Sequence, residues 1–282
     1  PYLWAATSGG IVRWHVPSGE WQLYTMRNGL ASHAIRGIAQ DQDGHIWVGY
    51  ADHPSWSEYD GERWHTYVSR EAAVVARCDA MRAARRFDAR LWACRPSSTW
   101  FWLPTANGRA QAYDGKTWRT YGESEGVTRG TWLVAVSSAG RVWAVGQGVS
   151  TAEEGERWWQ DHSLFSGMGE DGEITGIAVD KQSRLWLTFI GPQRMVGGTA
   201  NLDFPQSRWT SYQNFLEPAI PKQVYGIEID REDSVWLWGE GAISFRRPGG
   251  RWQTLAIQGI TARSLVRDQK GGFWIGTNHG IY

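Results

Sequence analysis

The groups in this chain with the most chemical reach are seven histidines, two cysteines and a scatter of arginines among 282 residues. His15, His33, His45, His53, His65, His162 and His279 form no His-Glu-x-x-His pair. No Gly-x-Ser-x-Gly elbow, phosphate-cradling glycine loop or Cys-x-x-Cys accompanies them. A histidine base with arginine partners could run an elimination on a uronate or lactone, and His33, His53 and His162 fall on the expected ligand face. His45 and His65 map to a turn and an outer strand, where solvent is the expected surrounding. Asp41-Gln42-Asp43-Gly44 could open a calcium loop, but the twelfth position is Asp52 where a bidentate Glu is needed. Capping of a tight turn explains these acids more simply. Cys78 and Cys94 can pair only if the fold brings both into one small region. No catalytic residue, metal ligand or cofactor is assigned.

Composition limits the partners. Lys+Arg and Asp+Glu both number 29, so the chain as a whole is not built to neutralise a nucleic-acid backbone or coat an anionic membrane. No run of about 18 apolar residues occurs, so no membrane insertion is expected within this segment. The chain opens at Pro1 without a charged-then-apolar leader; a signal peptide is expected to have been removed or never present. The unusual count is 20 Trp, beside 10 Tyr and 8 Phe.

Those tryptophans reveal the elements that must position everything else. An aliphatic or aromatic residue followed by Trp recurs at Leu3-Trp4, Ile46-Trp47, Leu91-Trp92, Val142-Trp143, Leu185-Trp186, Val235-Trp236 and Phe273-Trp274. The steps are 43, 45, 51, 43, 50 and 38 residues. Six residues before the Trp stands Asp41, Asp180, Asp230 or Asp268, with Ser137 and Arg86 as degenerate copies. A second Trp follows a turn in six copies, as Trp21, Trp64, Trp118, Trp158, Trp209 and Trp252. Short alternating segments joined by Asp/Gly turns predict antiparallel meanders of four strands, and a period near 40–50 residues fits a propeller blade. Arg70–Arg86 has helical character, yet the repeat register predicts a strand over Ala80–Arg86. Repeating a large residue at one register keeps neighbouring blades evenly spaced, so the two Trp ladders read as core.

Asp268–Thr277, followed by Asn278-His279-Gly280, carries the pattern Asp-x-x-Gly-x-Phe-Trp-x-Gly-Thr in full. This resembles the two-component regulator propeller repeat, and the resemblance covers nearly the whole chain at repeat level. Arg86–Trp92 lacks both Asp and Gly, Ser137–Trp143 lacks the Asp, and Gln182–Arg184 lacks the Gly. The resemblance implies an all-β propeller of four-stranded antiparallel blades, seven by the count of Trp strands with six as the alternative. It also implies a sensor domain outside the cytoplasm, periplasmic or extracellular, with a signalling module possible in a longer chain. A single domain over 1–282 is expected, with blade-like segments at about 1–25, 31–67, 79–121, 130–161, 173–212, 223–255 and 261–282.

The residues that the repeat does not require are the candidate site. Aligning the innermost strands isolates one variable column, Arg36, Met81, Trp132, Thr175, Tyr225 and Arg263, between columns of small or aliphatic residues. Guanidiniums there could hold a carboxylate or sulfate, and flat aromatics could stack on sugar rings. Trp56 in Ala51–Glu58, and Trp100 and Trp102 in Arg95–Gly108, are expected on long loops of the same face; Gly191–Gln206 is a third such loop. The expected function is non-catalytic recognition of a small molecule or glycan, carbohydrate or small anion. A protein-interaction platform and a propeller lyase are the alternatives.

Overall fold

In a computed structural model the described residues are 2–41, 43–82, 93–94, 98–157, 159–162, 172–191, 196–204, 206–267 and 272–282, without the side chains of 77–82, 161, 258 and 267. The chain divides into two compact units, residues 1–125 with 129–134, and residues 126–128 with 135–282.

The first unit holds three antiparallel sheets in chain order. The first has β1 (Tyr2–Thr7), β2 (Gly10–His15) and β3 (Trp21–Tyr24). The second is a full meander of β4 (Ile35–Gln40), β5 (Ile46–Tyr50), β6 (Trp56–Tyr59) and β7 (Trp64–Tyr67). Helix α1 (Arg70–Arg82) follows, and then β8 (Ala93–Cys94), β9 (Phe101–Pro104), β10 (Ala110–Tyr113) and β11 (Trp118–Tyr121). Several of these strands are short because they end at Asp/Gly turns, as β6 does at Asp60-Gly61 and β10 at Asp114-Gly115.

The turn before each ladder Trp has a specific chemistry. Asp41 Oδ1 accepts the N–H groups of Asp43 at 3.0 Å and His45 at 2.9 Å, while Oδ2 accepts the Trp47 indole N–H at 3.0 Å. The spacing of six residues is the distance at which one carboxylate closes the turn and also holds the indole on the following strand. Trp47 then stacks on Tyr67, with ring centroids 5.7 Å apart.

Helix α1 contains no Gly or Pro, is rich in Ala, and has Ser69 Oγ accepting the Ala72 N–H at 3.2 Å as its cap. Its Ala73 and Val74 are fully buried in one core with Trp47, Trp56, Phe101 and Leu103. The expected strand over Ala80–Arg86 is corrected by this: Ala80–Arg82 complete the helix, and residues 83–86 lie outside the described residues. Helix-forming residues with an apolar pair to bury here prevail over repeat register.

The third sheet also shifts the repeat. Tyr113 pairs with Phe101 across β9 and β10, as Tyr59 pairs with Ile46 across β5 and β6. Trp102 packs on Tyr121 with ring centroids 5.5 Å apart, in the place where Trp47 stacks on Tyr67. Phe101-Trp102 is therefore the equivalent of Ile46-Trp47, in place of the expected Leu91-Trp92, which lies outside the described residues.

The strand β12 (Leu133–Val136) lies where the two units divide and is the edge of a four-stranded sheet with β13 (Arg141–Val145), β14 (Val149–Glu153) and β15 (Gln160–His162). The second unit continues with β16 (Glu173–Val179), β17 (Leu185–Ile190), β18 (Gly197–Asp203) and β19 (Arg208–Gln213), a complete meander. The expected loop Gly191–Gln206 is thus corrected, since β18 runs through its middle from Gly197 to Asp203. The last sheet runs β20 (Val224–Ile229), β21 (Val235–Arg246), β22 (Gln253–Arg267), β23 (Phe273–Thr277) and β24 (Gly280–Ile281). Its two long strands run through the turns that separate strands in the earlier repeats. Asp180 and Asp230 repeat the bonds of Asp41, accepting the Trp186 and Trp236 indoles at 2.9 and 2.8 Å. Trp186, Val224, Leu237 and Trp252 share one core between consecutive sheets. The fold class is all-β, built from four-stranded antiparallel units, as expected.

Candidate functional site

Four residues of the variable column share one backbone device. Opposite the second strand of each sheet, Ile35 and Gly37 pair while Arg36 is left out of the ladder; Thr175, Tyr225 and Arg263 are left out in the same way. Each is the extra residue of a β-bulge, which frees its side chain from the alternation of the strand and re-aims it. The column varies because the ladder does not constrain it. The residue that follows is small, Gly37, Gly176, Gly226 or Ser264. At Gly226 the reason is visible: a Cβ would stand 2.2 Å from Cζ2 of Trp238, which lies over that position.

Within the first unit, the Arg36 guanidinium donates to the Trp132 carbonyl at 3.5 Å, so these two column residues meet. Within the second unit, Arg263 is exposed and its guanidinium carbon lies 4.4 Å above the Tyr225 ring, whose hydroxyl donates to Gln223 Oε1 at 2.7 Å. Thr175 is committed elsewhere. It is buried, its hydroxyl donates to the Val224 carbonyl at 2.6 Å, and it lies 2.9 Å from Thr188 Oγ1. It ties β16 to β20. Met81 belongs to α1, so its expected place on an inner strand is corrected, and its side chain lies outside the described residues.

The three expected loop tryptophans fare differently. Trp56 begins β6 and Trp102 lies on β9, and both are buried at 1% and 0% exposure. Neither offers a ring face to solvent, which corrects the expectation of exposed stacking groups. Trp100 stays half-buried, stacked on Trp102 at 5.9 Å with the Arg119 guanidinium 5.2 Å from its ring.

Among the histidines, His162 packs on Trp143 at 5.9 Å, filling the place of the Tyr that stacks on the ladder Trp elsewhere. It is a buried core residue of β15. His45 is not simply solvated: its Nδ1 lies 2.7 Å from Glu58 Oε1, and Tyr67 donates to the other Glu58 oxygen at 2.6 Å. Asp41, His45 and Glu58 lie close enough to consider as metal ligands, but the Asp41 and Glu58 oxygens already accept the indole, backbone, hydroxyl and imidazole bonds just given. His33 is exposed, and His53 opens onto a cavity.

That cavity, about 590 Å³, is the feature that sequence reasoning missed. It lies in the first unit between the β5–β6 loop, the start of α1 and the end of β9, and its walls include Arg36, Asp52, His53, Arg70, Glu71 and Gln111. Ser69 starts the helix, so Arg70 projects from its first turn, where the helix dipole adds positive potential. Arg70 is 9% exposed; its Nη1 donates to the Pro104 carbonyl at 2.9 Å and its Nη2 to the Tyr50 carbonyl at 3.5 Å. Burial, and then the charge of Arg36, hold the Arg70 guanidinium below its ordinary value, with Glu71 acting in the opposite sense. His53 Nδ1 accepts the Ser55 N–H at 3.2 Å, so the neutral ring carries its proton on Nε2. Asp52 accepts the Ser32 hydroxyl at 2.8 Å. The arrangement can receive a polar anionic molecule, at a size within the range of roughly 300–1,000 Å³ typical of small-molecule sites.

Residues 29–52, which span β4, the Asp41 turn and β5, match the family model described as Two component regulator propeller. No curated protein matches the chain. Among solved structures, the extracellular domain assigned to a hybrid two component system, BT3049 from B. thetaiotaomicron, is similar at 16% identity and TM-score 0.70, covering 99% of this chain and 38% of that one. The extracellular domain assigned to a one component system, BT4673 from the same organism, is similar at 14% identity and TM-score 0.66, again over 99% of this chain and 38% of that one. Virginiamycin B lyase from Staphylococcus aureus is similar at 14% identity and TM-score 0.68, over 99% and 89%. The chain thus spans well under half the length of the first two. The fold is a β-propeller fold of four-stranded blades. The chain carries the two-component regulator propeller repeat, on the fold that those extracellular domains share.

Proposed function

We propose that the chain is one propeller domain that recognises a small ligand without transforming it, as part of a sensor working outside the cytoplasm, periplasmic or extracellular. The ligand is a carbohydrate or a small anion. The observation that carries this reading is the repeated bulge, which presents Arg36 in one unit and Tyr225 with Arg263 in the other at the same register, outside the sheet ladder. Thr175 at this register is spent on the Val224 carbonyl, whereas Arg263 is exposed and carries a charge that a ligand can meet. The similarity to extracellular domains assigned to two component and one component systems supports this role. Among the described residues no helix is long and apolar enough to cross a membrane.

The test is a glycan array and a small-anion panel, read beside a pull-down from a secretome. Binding of a glycan or anion, unchanged in chemical form after incubation and weakened by Arg36→Ala or Arg263→Ala, supports the reading. Capture of a protein with a blank ligand screen replaces it with an interaction platform. Release of an unsaturated, ultraviolet-absorbing product replaces it with a lyase.

A further inference from the structure

We infer that the cavity beside α1 is a binding site for an acidic sugar, whose carboxylate sits against Arg36 and Arg70 and whose hydroxyls face Gln111. The inference rests on the recognition reading above and names its ligand class.

Arg70 and Gln111 both line this cavity, and each has one buried polar atom without a partner among the described residues, Arg70 Nε and Gln111 Oε1. One is a donor on a permanent cation and the other is an acceptor. A buried polar group left unpaired is costly, and more so when it is charged, so two on residues that line one cavity single out this wall as polar and unfinished. The Arg70 guanidinium makes its own bonds to neutral carbonyls, Pro104 and Tyr50, which orient it without neutralising it. Arg36, held at its bulge by the Trp132 carbonyl, brings a second guanidinium near enough to depress the first. A guanidinium fork matches a carboxylate's two oxygens.

The rest of the wall argues for a sugar body over a bare inorganic anion. Glu71 and Asp52 also line the cavity, and with Gln111 they present acceptors that hydroxyl groups can satisfy but a second anion cannot. Pro54, Leu103 and Pro104 supply apolar surface for the C–H faces of a pyranose ring. A volume of about 590 Å³ exceeds what a sulfate or phosphate alone would fill.

The test is isothermal titration of the intact chain with D-glucuronate, methyl D-glucoside and sodium sulfate. Glucuronate is expected to bind at least tenfold more tightly than the other two. Arg36→Ala, Arg70→Lys and Gln111→Leu should each weaken it, the arginine variants at least tenfold. Lysine at 70 keeps a charge in the same place but loses the fork; circular dichroism reports its folding, and should it not fold, Arg36→Ala decides alone. Sulfate bound as tightly as glucuronate would overturn the sugar assignment. A glycan bound with equal affinity by wild type, Arg36→Ala and Arg70→Lys would overturn this site while leaving the recognition reading standing. Silence of all three probes together with a blank glycan array would overturn both.

Discussion

The indole N–H of Trp47 donates to Asp41 Oδ2 at 3.0 Å, and the same bond joins Trp186 to Asp180 and Trp236 to Asp230. One carboxylate thereby closes a turn and anchors the largest side chain of the next strand. Asp180→Ala would strand two backbone N–H groups, the Arg184 guanidinium and the indole in a turn whose carboxylate is 4% exposed. The expected loss is about 3 kcal/mol in urea unfolding. The fourth sheet tests the converse. There Ser137 accepts the Arg141 N–H at 3.1 Å, and the buried Trp143 Nε1 has no partner among the described residues. Ser137→Asp should supply it and raise stability by about 1 kcal/mol. An unchanged midpoint would mean the indole bond contributes nothing net.

The bulge residues divide by what they touch. Thr175→Val keeps shape but removes the hydroxyl that donates to the Val224 carbonyl, leaving that buried acceptor short of a bond. A loss of about 1–2 kcal/mol is expected, recovered in Thr175→Ser. Arg263→Ala, at an exposed position, should change stability by less than about 0.5 kcal/mol. If both variants melted alike, the bulge would be a uniform structural element and its variability would say nothing about recognition.

Trp102 and Trp100 are separated by one residue and differ in role. Trp102→Ala opens a cavity in the core of the third sheet and should cost about 4 kcal/mol. Trp100→Ala, from a half-buried position beside Arg119, should cost about 1 kcal/mol. Reversed magnitudes in chemical denaturation would restore the loop reading of this segment.

This pair also marks how far the sequence could be read. Repeat type, strand direction and the Asp turns were legible because they depend on local spacing. The third repeat was misaligned because Leu91-Trp92 imitates the ladder dipeptide. The correct partner was available in a finer spacing: Trp4 precedes Trp21, and Trp47 precedes Trp64, by 17 residues, and Trp102 precedes Trp118 by 16, whereas Trp92 is 26 away. His162 read as a candidate base because nothing local shows that it takes a tyrosine's stacking place on Trp143. The variable column was found, but its cause was hidden, since a bulge is a property of pairing between strands. The cavity was out of reach altogether. Arg70 comes from an inserted helix and Gln111 from β10 of the following sheet, and only the packing of α1 between consecutive sheets brings them to one space.

The last prediction concerns acid. Asp60 and Asp114 cap equivalent turns: Asp60 Oδ1 accepts the N–H groups of Arg63 and Glu62, and Asp114 Oδ1 those of Thr117 and Lys116. These backbone donors, with His65 helping at Asp60, hold both carboxyls below the usual carboxylate range. A carboxyl that is more acidic folded than unfolded stabilises the fold above the unfolded value of roughly 3.9, and that stabilisation disappears as pH falls through the folded value. Asp60→Asn with Asp114→Asn keeps an oxygen for each turn but cannot ionise. At pH 7 the double variant should melt below wild type. The gap should narrow as pH drops below about 4, because wild type then loses the same charges. Melting curves between pH 2 and 7 decide the matter: a gap constant across that range would show that the turns depend on geometry alone and that ionisation of these two acids contributes nothing to folding.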